Sequence, residues 1–157
     1  MLIHPFRDGD ENELSAVVKD AFLSHQYDFQ GCSKDLIDHD MSIFSPDYIK
    51  HRSTISLILV VTSDDDRTIY SFASLNNDEI HMFYTIGSMQ KKGVGKFLMS
   101  HIEKAAIARG VKTLWVNSNF YAEAFYLSCG FKKTKDIIVP FYGKDWPVSF
   151  MVKELLP

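Results

Sequence analysis

An α/β fold with a central mixed sheet is what the order of hydrophobic patterns predicts. Three apolar runs between Ile55 and Ile86 are separated only by turn residues and make an antiparallel meander. Two strand–loop–helix units follow, one through Gly93 and Gly95 and one through Asn119, and such crossovers are what parallel strands require. At 157 residues the chain matches one domain over 1–157, so the meander and the two units are expected to share a core.

Taken in order, Leu2 to Arg7 reads as a short strand, and Leu14, Val17, Val18, Ala21 and Phe22 recur at helical spacing behind Asp10 as cap. Leu36, Ile37, Met41 and Phe44 give a second helical pattern. Ser45-Pro46-Asp47 then stops and restarts a helix, with Pro46 near its first turn. Ile55 to Thr62 is β-branched and almost continuously apolar, the signature of a strand buried on both faces. Thr68 to Leu75 and Glu79 to Ile86 flank the turn Asn76-Asn77-Asp78.

Beyond Gly87, the residues Val94, Phe97, Leu98, Ile102, Ala105 and Ala106 form one helical face that runs to Arg109-Gly110. Thr113 to Val116 is the next strand. Asn119 can cap a helix carrying Ala122, Phe125, Tyr126 and Cys129, with Gly130 at its C′ position. Phe131 to Val139 and Val148 to Lys153 read as two closing strands around a loop with Pro140, Gly143 and Pro147.

Composition narrows the function classes. Hydrophobic residues make up 46% and charged residues 24%, which is ordinary soluble usage, and the net charge of −3 lacks the basic excess that nucleic acid demands. Cys32 and Cys129 are too few for a disulfide framework, and no apolar stretch reaches the ~20 residues of a membrane span. A soluble, cytoplasmic protein with neither nucleic acid nor membrane as partner is expected. His4, His25, His39, His51 and His101 show no ligand spacing, so no metal is assigned. Cys129, on the apolar side of its helix, reads as a small buried residue.

The chemistry concentrates at Gln90-Lys91-Lys92-Gly93-Val94-Gly95. Gly93 and Gly95 leave backbone N–H groups unobstructed where a helix begins, and Lys91, Lys92 and Lys96 add positive field, so the segment suits phosphate. A glycine-punctuated helix start with solvated lysines is the plainer reading. Two better-known phosphate loops fail on spacing. A P-loop needs glycine where Gln90 stands and Ser or Thr where Phe97 stands, and a dinucleotide loop needs glycine at Leu98.

Gln90-x-x-Gly93-x-Gly95, opening an amphipathic helix after a strand, resembles the acetyl-CoA loop of the GNAT N-acetyltransferases. Asn119 through Phe131, with Phe125-Tyr126 and Gly130-Phe131, resembles that family's second signature, and the element order agrees over nearly the whole chain. The Trp146–Lys153 segment is similar to a bacterial branch. The resemblance implies a three-layer fold, a mixed sheet of six to seven strands flanked by about four helices. It implies that Gln90, Lys91, Lys92, Gly93, Val94, Gly95 and Lys96 receive the pyrophosphate of coenzyme A, and that the backbone of Tyr84, Thr85 and Ile86 pairs with its pantetheine arm. Asn119 matches a cofactor-touching position, or is simply a cap.

Tyr126 matches the family's general acid. A phenol of reference pKa about 10 stays protonated at neutral pH and can donate to a departing thiolate. Glu79, on the strand entering the loop, matches a frequent general base, and His81 shares its strand face by period-two geometry and titrates nearer neutrality. Glu79 is preferred, His81 is the alternative, and either reads equally as a polar side chain at a strand edge. For the acceptor, Tyr27, Asp28, Phe29, Tyr142 and Trp146 supply a carboxylate and π-faces suited to an amine. The implied function is direct acetyl transfer from acetyl-CoA to a primary amine of a small molecule or peptide. A non-catalytic acyl-CoA sensor or partner-binding module on the same scaffold is the alternative. A homodimer is compatible with either.

Overall fold

The computed structural model describes residues 1–24, 44–119, 122–141 and 144–156. Its elements run β1 (Leu2–Pro5), α1 (Glu11–Ser24), α2 (Pro46–Ile55), β2 (Leu57–Thr62), β3 (Ile69–Asn76), β4 (Glu79–Thr85), a 3₁₀ turn (Gly87–Met89), α3 (Val94–Ala108), β5 (Thr113–Ser118), α4 (Glu123–Ser128), β6 (Lys132–Phe141) and β7 (Lys144–Glu154). The seven strands form one sheet in the order β1-β2-β3-β4-β5-β7-β6, mixed because β4 and β5 run parallel while every other neighbouring pair is antiparallel.

Helices cover both faces of this sheet. On one, Leu14, Val17, Val18 and Phe22 of α1 and Ile49 of α2 pack on Ile58, Val60, Phe72 and Met82. On the other, Val94, Leu98, Met99, Ile102 and Ala106 of α3 and Tyr126 of α4 pack on Val61, Ala73, Leu75, Ile80, Val116 and Met151. Ile58 and Val60 point to one cluster and Val61 to the other, so β2 is buried on both faces, as its continuous apolar run predicts. A Leu98 or Ile102 in such a layer contributes about 1.5–3 kcal/mol by leaving water.

The local signals hold where chain chemistry is sufficient. Ser45 caps α2 by accepting from the Tyr48 N–H at 3.2 Å, and Pro46 occupies the first turn. Gly110 and Gly130 adopt φ of 80° and 90° and end α3 and α4. In each case the glycine N–H and the next residue's N–H fold back on the last turn, Val111 to the Ala106 carbonyl and Phe131 to the Tyr126 carbonyl, both at 3.0 Å.

Several expectations are corrected. Asp10 stands ahead of α1, and its carbonyl accepts from Leu14, but its carboxylate turns back to the Arg7 N–H at 2.9 Å because the Asp8–Gly9 turn brings that amide nearer. Ile55 closes α2 rather than opening β2. Pro140 and Pro147 lie in paired strands, opposite Asp145 and Ile138, instead of in a loop. The sheet tolerates them because β6 is its outermost strand and because the β5 ladder on β7 stops at Ser149, short of Pro147. Cys129 is half-buried at the end of α4, and burial pushes its thiol above the usual range. The expected helix through Leu36, Ile37 and Met41 lies outside the described residues.

Candidate active site

The seam between β4 and β5 positions the site. The two strands share one registered pair, Glu79 opposite Trp115, and Asp78 locks that point by accepting from the Trp115 N–H and indole Nε1, each at 3.0 Å. Beyond it the strands diverge toward their C-terminal ends, where a crevice is expected in a parallel pair. A cavity of about 120 Å³ fills the gap, lined among others by Phe83, Thr85, Ser118, Asn119, Ala122 and Tyr126.

A bulge in β4 sets which side chains reach this gap. Leu75 of β3 faces Ile80 and the next residue, Ser74, faces Met82, so His81 is an extra residue in β4. Ile80 therefore packs toward α3 while Met82 packs toward α1, which simple alternation would not allow. The antiparallel ladder beyond the bulge runs through the Ile86 N–H to the Tyr70 carbonyl at 3.0 Å, so alternation turns the amide and carbonyl of Tyr84 toward β3. Phe83 and Thr85 then present theirs to the open seam, which corrects the expected Tyr84–Ile86 stretch: of those three only Thr85 faces the seam, because Tyr84 and the Ile86 amide are committed to the β3 ladder. The Thr85 carbonyl receives the Gln90 side-chain amide at 3.1 Å, and the Thr85 hydroxyl meets Ser71 at 2.8 Å.

At the mouth of the seam stands the start of α3. Gly93 is its N-cap at φ 86° with no side-chain cap, and the first intrahelical bond is from the Phe97 N–H to the Gly93 carbonyl at 3.0 Å. The amides of Val94, Gly95 and Lys96 precede that bond and face outward. A Cβ at Gly93 would meet nothing within 4 Å among the described residues, so the space before those amides admits an anionic group. Gly95 is glycine for another reason: its Cβ would lie 2.9 Å from the Phe125 ring, so the position holds α3 against α4. Lys91 at φ 59° and Lys92 are exposed beside the loop, as is Lys96.

Tyr126 comes from α4. Its ring is 5% exposed and stacks edge-on with Phe83 at 6.3 Å and Phe131 at 5.4 Å, which fixes it beside the seam. Asn119 accepts from the Ala122 N–H at 3.0 Å, so its side chain shapes the entry to α4 while lining the cavity.

Glu79 and His81 do share a side, with His81 Nδ1 at 3.6 Å from the Glu79 carboxylate. Sequence reasoning missed their two companions on α2. The Tyr48 hydroxyl lies 2.8 Å from His81 Nε2, and burial raises its pKa above the ordinary 10.0. Burial first, and then the Arg52 charge, holds His81 below its ordinary 6.5, opposed by Glu79. Arg52 itself keeps Nε and Nη2 buried without a hydrogen-bond partner among the described residues. Helical spacing of four between Tyr48 and Arg52 was the available signal, but nothing in the chain says which strand they cover. Tyr27, Asp28, Phe29 and Tyr142 lie outside the described residues, and Trp146 sits in β7 opposite Val139. Among the described residues no cluster of His, Cys, Asp or Glu could hold a metal ion, and no helix is long and apolar enough to cross a membrane.

A three-layer α/β protein with an opened parallel strand pair, an uncapped helix start at its mouth and a buried tyrosine beside it is a distinct architectural class. The chain belongs to the acetyltransferase (GNAT) domain family, whose model matches residues 41–143. Among curated relatives, the ribosomal protein bS18-alanine N-acetyltransferase of Salmonella typhimurium is 33% identical over 82 residues, 49% of this chain. That match spans 55% of the relative, about half its length. Among solved structures, a GCN5-related N-acetyltransferase of Rhodopseudomonas palustris superposes with a TM-score of 0.87 at 23% identity, covering 98% of this chain and 95% of the other. The PaiA N-acetyltransferase of Thermoplasma acidophilum, solved with coenzyme A, gives 0.80 at 19% identity over 98% and 99%. At these identities the two structures establish the fold.

Proposed function

We propose that the chain is an acetyl-CoA-dependent N-acetyltransferase that passes the acetyl group directly to a primary amine of a small molecule or protein, with both substrates bound at once. The observation that carries this reading is the meeting, at one seam, of outward-facing helix amides, a β4 edge that no strand of the described residues ladders beyond Glu79, and a buried tyrosine.

The amides of Val94, Gly95 and Lys96, with the field of Lys91, Lys92 and Lys96, would hold the pyrophosphate. The groups that Phe83 and Thr85 turn into the seam would take the pantetheine arm as an added strand, beside Tyr84 and Ile86, with Gln90 and Asn119 shaping its two ends. Bound there, acetyl-CoA supplies an activated acyl carbon. Glu79 or His81 would accept a proton as the amine nitrogen forms its bond to that carbon, and Tyr126 would donate one to the sulfur as the carbon–sulfur bond breaks. Tyr27, Asp28, Phe29, Tyr142 and Trp146 are proposed to meet the acceptor. Relatives whose names specify ribosomal-protein alanine and aminoglycoside acceptors support an amine as substrate.

The test is release of free thiol from acetyl-CoA with a panel of amines, polyamines, amino acids and peptides with free N-termini. Amine-dependent release with a matching acetylated product is expected. Tight acetyl-CoA binding with no turnover on any of them would instead indicate the sensor.

A further inference from the structure

We propose that Asp20 is a positioning residue for the cofactor loop: from the last turn of α1 its carboxylate fixes the 3₁₀ turn Gly87–Met89, and through that turn the α3 amides that would receive the pyrophosphate. The proposal rests on the acetyltransferase reading and names a residue, outside the loop itself, on which the cofactor site depends.

The turn needs an outside partner. Ile86 precedes it and offers no side-chain cap, while its own bonds run from the Met89 N–H to the Ile86 carbonyl at 3.0 Å and from the Gln90 N–H to the Gly87 carbonyl at 3.3 Å. The Gly87 N–H is left over, as the first donors of any helical turn are. Asp20 supplies the acceptor, with Oδ2 at 2.6 Å from the Gly87 nitrogen, a short charge-assisted bond between segments 67 residues apart.

Gly87 is glycine because of the same approach. It is not among the glycines of positive φ, so backbone conformation does not demand it; a Cβ there would lie 3.0 Å from the Ser24 Cβ and closer still to the Ser24 hydroxyl. That hydroxyl is folded onto α1 by donating to the Asp20 carbonyl at 2.8 Å. Asp20 therefore draws the turn onto α1, and Ser24 sets how near it comes.

Both ends of the turn meet the site. Ahead of it the Ile86 N–H is held by the Tyr70 carbonyl at 3.0 Å, and behind it Gln90 returns its side-chain amide to the Thr85 carbonyl at 3.1 Å. Only Gln90, Lys91 and Lys92 separate the turn from Gly93, the N-cap of α3, so a shift of the turn displaces the amides of Val94, Gly95 and Lys96. Ala21, next to Asp20, lines the seam cavity, so one turn of α1 borders cavity and loop together.

Calorimetry with acetyl-CoA on the intact protein tests this. Asp20 is exposed, so substituting it leaves the core untouched. Asp20→Leu removes the acceptor and should raise the Kd for acetyl-CoA about threefold to tenfold, the range for one hydrogen bond. Asp20→Asn keeps an acceptor oxygen and should stay within about twofold of the wild type. Loss of charge alone would act in the opposite direction, because a carboxylate near a pyrophosphate repels it and both variants would then bind more tightly. With an accepted amine, Asp20→Leu should raise the KM for acetyl-CoA by the same factor and leave kcat at saturation unchanged. Gly87→Ala should weaken binding similarly, and adding Ser24→Gly should recover it. An unchanged or lowered Kd in Asp20→Leu, a loss in Asp20→Asn as large as in Asp20→Leu, or a fall in kcat at saturating acetyl-CoA would overturn the proposal. A wild-type protein that binds no acetyl-CoA would instead overturn the acetyltransferase reading. Protection of the Gly87 amide from hydrogen exchange, kept in Asp20→Asn and lost in Asp20→Leu, would then still decide whether Asp20 holds the turn.

Discussion

On one side of β5 six consecutive residue pairs, from Thr113–Glu154 to Ser118–Ser149, zip the strand to β7; on the other side a single pair, Glu79–Trp115, joins it to β4. The closed seam holds the molecule together and the open one holds its polar chemistry. Met151 of the closed side is fully buried, and Lys153 ties the hairpin to α3 and α4 through Glu103 and the Cys129 carbonyl, both at 2.6 Å. The open side carries a cavity, backbone groups without a ladder partner strand, and a bulge. A binding cleft in a sheet requires that some ladder be given up, and here the loss is confined to one seam because β7 supports β5 from behind.

The sharpest way to break this contrast is to weaken the closed seam. Met151→Ala should destabilise the protein by about 2–5 kcal/mol, the range for truncating a fully buried large side chain. Denaturant titration checks this, and a loss well below that range would mean that the closed seam is not what holds the fold.

The next effect is kinetic. Tyr126→Phe keeps the ring that packs on Phe83 and Phe131, and kcat should fall about 10²-fold with the KM for acetyl-CoA preserved. Full activity in the variant would move leaving-group protonation to another group.

Smaller again is the loss at the mouth of the seam. Gly93→Val should weaken acetyl-CoA binding at least tenfold, ~1.4 kcal/mol, by filling the open space before the α3 amides and straining a residue at φ 86°. Calorimetry on the folded variant measures it. Gly95→Val is a poorer probe, since its side chain would collide with Phe125 and disturb α3–α4 packing whatever the ligand does.

The smallest expected effect is electrostatic. His81 has its pKa depressed by burial and by Arg52, so the unfolded chain binds its proton more readily than the folded one. Stability from this group is complete above about pH 6.5 and declines as pH falls through the lower folded-state value. Unfolding measured at pH 7.5 and pH 5.5 should show a smaller acid loss in His81→Gln than in the wild type.

How much of this was legible in the chain follows from the range of each interaction. Ser45-Pro46, Gly110 and Gly130 act on neighbours within one turn, so helix starts and stops could be read directly. Gln90, Gly93 and Gly95 marked the helix that faces the seam, though the pattern could not say that Gly93 leaves open space while Gly95 makes room for Phe125. Pro140 and Pro147 were misread because proline's effect on a strand depends on whether a neighbour strand needs its N–H, which is a property of sheet order.

By itself the sequence determined the α/β class, the meander, the two crossover units, the glycine loop and the candidates Glu79, His81 and Tyr126, because periodicity, capping and loop chemistry are local. Only the tertiary structure decided that β4 and β5 part after one residue pair, that His81 is the bulged residue, and that Tyr48 and Arg52 from a helix far away in the chain stand over it. Register and cross-element burial set those facts, and they come from the balance of many distant contacts rather than from any residue's own preference.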